Sequence, residues 1–158
     1  MMLILNRSGC TRSIVIPLDF HNDLNDNFQF YLDNASKPDD FVQIIYIIEP
    51  RLSNLTIGVS AEAISNLVFH QYENEYLIAR QTGSKLLAEL KDRNIRGDFQ
   101  IHFGSKPGPY ICEIVKELNF EIIFLSVKRS SNKWNKNFSP YQEYIIHHAG
   151  IPITIISS

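Results

Sequence analysis

Apolar and polar positions along the chain alternate between short runs that are apolar on both faces and longer stretches with helical spacing. Ser13-Ile14-Val15-Ile16-Pro17-Leu18-Asp19 is nearly continuous in apolar residues, as a central strand of a parallel sheet must be when both faces are covered. Leu24, Phe28, Tyr31, Leu32 and Ala35 then trace one helix face, with Asp23 and Asp26 favouring its positive N-terminus. Lys37-Pro38-Asp39-Asp40 reads as a turn, and Phe41–Ile48 as a second buried strand.

A polar excursion from Pro50 to Gly58 precedes a long helical region, Ala61 to Arg93, with a break expected near His70 and Gly97 as its stop. Phe99–Phe103 alternates and predicts a third, less buried strand; 104–109 is a turn. Ile111, Ile114, Val115 and Leu118 mark one face of a helix from Pro109 to Leu118. Ile122–Leu125 is a fourth strand. After a polar, basic loop a fourth helix runs from Pro140 to about Ala149, with Ser139 as N-cap, Pro140 in the first turn, Gln142 completing a capping box and Gly150 as stop. Pro152–Ile156 is the fifth strand. This alternation predicts an α/β fold, a parallel sheet with helices on both faces and right-handed connections.

The chain has 158 residues, enough for one domain with a proper core, read as 12–158 behind a loose N-terminal arm of 1–11. A formal net charge of −2 gives no global basic field for nucleic acid or an anionic membrane. No apolar run reaches the roughly 20 residues of a membrane span. Cys10 and Cys112 form neither a disulfide framework nor a metal spacing, so free thiols in a reducing, cytoplasmic compartment are expected. His147-His148 lack a third ligand, so no metal site is expected. No Ser or Cys occupies a nucleophile elbow and no paired carboxylates occur, so the residues make no case for an enzyme. Cys112 in a helix first turn suits either a lowered pKa or apolar packing, its neighbour Ile111 favouring packing.

The order of these pieces resembles the universal stress protein family. Ile14-Val15-Ile16-Pro17-Leu18-Asp19 is similar to its first strand, apolar-Val-Pro-x-Asp, and Ile45-Tyr46-Ile47-Ile48-Glu49-Pro50 to its second. Gly104-Ser105-Lys106-Pro107-Gly108 looks like the turn into its third helix, and Leu118–Leu125 like its fourth strand. Glu143-Tyr144, His147-His148-Ala149 and Pro152 resemble the last helix and strand of its eukaryotic members. The resemblance covers Ser13 to Ser157. It implies a flavodoxin-like, Rossmann-like sandwich of strand order 3-2-1-4-5 and a homodimer through antiparallel fifth strands. One branch of the family binds ATP or AMP, and another binds no nucleotide.

The binding branch carries Gly-x-x-Gly, nine residues, then Gly-Ser/Thr after the fourth strand. Here those positions are Ser126, Arg129, Ser139 and Pro140, all departures. Of the remaining site, the resemblance matches Pro17, Asp19 and Ile47. Glycines in a phosphate loop permit positive φ and close approach of N–H groups; Arg129 fills space a glycine leaves open, and Pro140 has neither N–H nor hydroxyl. Each lost donor to a charged group is worth about 1.5–3 kcal/mol, or one to two orders of magnitude in affinity. Against this, no acid falls between Glu121 and Glu143, while Lys128, Arg129, Lys133 and Lys136 do. Lys128 and Lys133 are candidate anion contacts, and Trp134 could stack on a base.

Three functions stay open from the sequence. The first is a non-enzymatic universal stress-type protein with a degraded pocket, acting through protein partners. The second is a regulator that holds ATP, AMP or another anion in the crevice around Asp19 and Ile47. The third is a hydrolase of the adenine α-hydrolase type, for which no catalytic group is found.

Overall fold

The computed structural model describes residues 9–19, 26–49, 61–127 and 138–157, with side chains for all of these except 19, 61–69, 71 and 157. Five strands form one sheet: β1 (Arg12–Asp19), β2 (Asp40–Ile48), β3 (Arg96–Phe103), β4 (Ile122–Val127) and β5 (Ile153–Ser157). Their order is β3-β2-β1-β4-β5 and every pairing is parallel. Both expectations, the doubly covered parallel sheet and the 3-2-1-4-5 order, are met.

The helices divide between the two faces as right-handed crossovers require. α1 (Asp26–Phe30) continues into a π-helical turn, Tyr31–Ala35, and with α2 (Ala61–Asp92) covers one face. There Phe28, Tyr31, Leu86 and Leu90 pack on Ile14, Ile16, Ile44, Tyr46 and Phe124. α3 (Pro107–Glu117) and α4 (Pro140–His148) cover the other, where Ile111, Ile114 and Ile145 pack on Val15, Ile45, Ile47, Ile123 and Leu125. Neighbours in sequence thus face opposite cores, the two-residue period of a strand. β2 is buried along its whole length, whereas the edge strand β3 is only half-buried, as its alternation predicts.

Local departures from the expected elements have local causes. α2 is continuous through His70, because nothing from Ala61 to Thr82 is a proline or glycine. Its stop is not Gly97 but Asn94, which adopts φ +57; asparagine tolerates the left-handed region. Gly97 instead pairs with Val42 inside β3. α3 begins at Pro107, and Asn119, at φ +50, turns the chain out of it. β4 extends past Leu125, so Ser126 and Val127 belong to the strand. Gly150, at φ +68, terminates α4 as predicted.

The amino end of the sheet is pinned by side chains. Arg12 donates from Nε and Nη2 to the Asp40 carboxylate at 2.9 and 2.6 Å, and from Nη2 to the Ala35 carbonyl at 2.6 Å. Tyr31 Oη and the Lys37 N–H donate to the same carboxylate at 2.7 and 2.9 Å. On the other side, the Ser13 N–H donates to Glu121 Oε2 at 2.8 Å, which sets β1 against β4. With that end fixed, the carboxyl end is where the strands are free to part.

Candidate functional site: the crevice between β1 and β4

Chain order reverses direction in the sheet between β1 and β4, and the carboxyl ends of strands at such a point form a ligand crevice. The two strands pair only at Ile14 with Ile122 and Val15 with Ile123, although β1 stays paired with β2 as far as Asp19. Pro17 is the physical reason, since it has no N–H with which to continue the ladder. Asn27 of α1 supplies a donor in its place: its Nδ2 lies 3.0 Å from the Pro17 carbonyl and 3.4 Å from that of Phe124. The Asn27 side chain is buried at this seam.

A second carboxamide works from the opposite face. Gln142, in the first turn of α4 and buried, donates from Nε2 to the Ser126 carbonyl at 2.7 Å. Its Oε1 accepts the Ser139 N–H at 2.9 Å. One side chain therefore ties the last turn of β4 to the start of α4. Its reach back to Ser139 is the half of the capping box that the sequence predicts. Its grip on Ser126 is not legible from spacing.

The family-matched residues fall together in two groups. Pro17 is level with Ile45 and Asp19 with Ile47, so strands one and two bring Pro17, Asp19 and Ile47 side by side, the Ile47 side chain packing towards α3 and α4. Ser126, Ser139 and Pro140 meet around Gln142. Lys128, Arg129 and Lys133, with Lys136 and Trp134, lie outside the described residues.

An open groove of about 240 Å³ adjoins this end of the sheet, between the N-termini of α3 and α4. Pro107, Pro109, Pro140, Tyr141 and Tyr144 line it together with Glu49 and Lys106. Gly108 permits the approach of the two helices: a Cβ there would stand 2.9 Å from Tyr144 Cβ and 3.1 Å from the Tyr141 carbonyl. A helix N-terminus normally offers free N–H groups to an anion. Both helices here start with proline, and α3 has a second at Pro109, so each loses donors.

Titratable groups near the groove are tuned by burial rather than by charge pairing. His102 of β3 stacks on Tyr110 at 3.9 Å between ring centroids, and burial lowers its pKa, favouring neutral imidazole. Gln100 hydrogen-bonds the Tyr110 hydroxyl, whose pKa burial raises. Burial likewise pushes the Cys112 thiol up, and its side chain packs against the core under α3 and α4, as the packing reading expects. Among the described residues, no three His, Cys, Asp or Glu side chains cluster as a metal centre.

Neither protein-family models nor curated protein sequences match this chain. Solved structures do. The hypothetical protein MJ0577 superposes with a TM-score of 0.67 at 15% identity, over 93% of this chain and 96% of that one. Universal stress protein UspA from Lactobacillus plantarum gives 0.61 at 15%, over 93% and 98%. A universal stress protein from Arabidopsis thaliana, solved with AMP bound, gives 0.58 at 12%, over 92% and 91%. At such identities it is the backbone that is shared. The chain has the α/β, Rossmann-like fold of the universal stress proteins.

Proposed function

We propose that the chain is a universal stress-type regulatory protein, non-enzymatic and cytoplasmic, that acts as a homodimer through protein partners without a standard ATP cradle. One observation carries this reading: the start of α4 is short of phosphate donors. Pro140 has no N–H, and the Ser139 N–H already serves Gln142 at 2.9 Å. Losing two charge-assisted donors costs about 3–6 kcal/mol in sum, which moves a micromolar site to between about 0.1 and 10 mM. The free thiols Cys10 and Cys112 suit a reducing compartment.

The competing reading is an AMP- or anion-binding regulator. It draws on the Arabidopsis protein with AMP bound and on the cations Lys128, Arg129 and Lys133. A monophosphate needs fewer donors than a triphosphate, and side-chain cations supply charge without loop glycines. Calorimetric titration of ATP and AMP into the purified chain separates the two. The first reading expects no binding tighter than ~100 μM for either nucleotide. Tighter binding of AMP alone establishes the second, and tight ATP binding sinks the first.

A further inference from the structure

Two buried carboxamides meet the seam between β1 and β4, one from each face. Asn27, on the α1 side, donates to the carbonyls of Pro17 and Phe124, and its Oδ1 accepts the Phe28 N–H at 2.9 Å. Gln142 takes a carbonyl, Ser126, and also occupies a donor, the Ser139 N–H. An anion at the switch point needs such a donor, because the positive end of a helix acts through its free N–H groups. Pro140 has already removed the next one. Whether the Ser139 N–H is free at the start of α4 is therefore decided by the side chain at position 142.

We propose that Gln142 is a specificity-determining residue of this crevice: its carboxamide stands where a phosphate oxygen would, satisfying the Ser139 N–H and holding β4 to α4 through the Ser126 carbonyl. The inference rests on the reading that the chain lacks a phosphate cradle, and it names the side chain that closes what is left. Gln142 suits the part because a neutral amide both accepts and donates. It also sits too deep for water to compete, at 2% exposure. A phosphate group must break both of its hydrogen bonds to reach the same N–H.

Inorganic tripolyphosphate is the probe, since it tests the phosphate end with no base to bind elsewhere. It is titrated into the full chain and into Q142A, Q142M and N27A, with affinities read from protein NMR shifts up to millimolar ligand. Q142A opens space and frees the Ser139 N–H; Q142M frees it while keeping the volume filled, so a poorly folded Q142A leaves the test intact. N27A loosens the same seam and releases only the Phe28 N–H on the α1 side, leaving the start of α4 as it is. The expected result is tightening of about tenfold for the Gln142 variants, the worth of one charge-assisted hydrogen bond, with N27A unchanged. Less than threefold tightening in every folded Gln142 variant overturns the proposal. So does equal tightening in N27A, which would mean that general loosening admits the anion. Wild-type affinity is read in the same experiment: tight binding there defeats the proposed function, whereas the ratio of variant to wild type judges Gln142.

Discussion

Asp40 is wholly buried at the first position of β2, yet the protein keeps it charged. Burial works to raise its pKa, and hydrogen bonds from Arg12, Tyr31 and the Lys37 N–H outweigh that and hold it below the ordinary value. The folded chain therefore binds fewer protons than the unfolded chain between the folded value and about 4, the unfolded one. Stability contributed by Asp40 is fully present above about pH 4 and is lost as pH falls through the folded value. Urea melts across that range should show this slope in wild type and a flatter one in D40N. The D40N protein should also be less stable at neutral pH by about 2 kcal/mol, because Arg12 loses its partner while part of its side chain still reaches solvent. An unchanged slope would remove Asp40 from the account. No spacing rule reveals this cluster, nor the placing of Asn27 over Pro17. Both join residues distant in sequence through the ends of strands, so they exist only once the sheet does.

At the scale of elements, α2 shows which sequence signals carry and which do not. The spacing of Tyr76, Ala79, Leu86, Leu87 and Leu90 reads as a core stripe; the structure buries Ala79, Leu86 and Leu90, half-buries Leu87 and leaves Tyr76 48% exposed. The expected break at His70 was not real, since a weak apolar stripe does not stop a helix without a residue that breaks the backbone. Gly97 misled in the same way: glycine marks a possible stop, and Asn94 with its left-handed backbone took the role. Gly83 has a purpose that a propensity scale hides. A Cβ there would lie 2.4 Å from Cδ1 of Phe99, so the missing side chain is what lets α2 close on β3. Alanine in a free helix gains about 1 kcal/mol over glycine, but overpacking a ring costs roughly 1–3 kcal/mol. G83A is accordingly expected to lower the urea midpoint, with a net loss of about 1 kcal/mol. A rise in midpoint would show that the interface has room. The candidate site divides along the same line: Ser139 and Gln142 were legible as a cap pattern and Pro17 and Ile47 came from the family resemblance, while the hold of Gln142 on Ser126 required knowing that β4 runs on to Val127.

The whole molecule ends in two unlike sheet edges, and the difference bears on assembly. β3 is flanked by Phe103, which is 55% exposed but packs edge-on against Tyr72 of α2 at 5.1 Å. β5 is short, carries Ile153, Ile155 and Ile156 and offers no charged side chain along its length. Ile153 packs towards α4 and Ile156 on the α1 side, leaving Ile155 39% exposed beside an edge that no further strand pairs among the described residues. An apolar edge without a lysine or proline invites a second strand. A two-fold pairing of β5 with β5 closes the sheet and leaves no free edge for further growth, which makes a dimer the expected product. Each buried Ile155 contributes at most about 1.5–3 kcal/mol, added to the new backbone hydrogen bonds. Sedimentation equilibrium at micromolar concentration should return a dimer mass for wild type. I155K places a charge on each copy of the shared edge, so a folded monomer with an unchanged far-ultraviolet spectrum is expected. A monomeric wild type excludes the β5 dimer, and a dimeric I155K moves the interface to another surface.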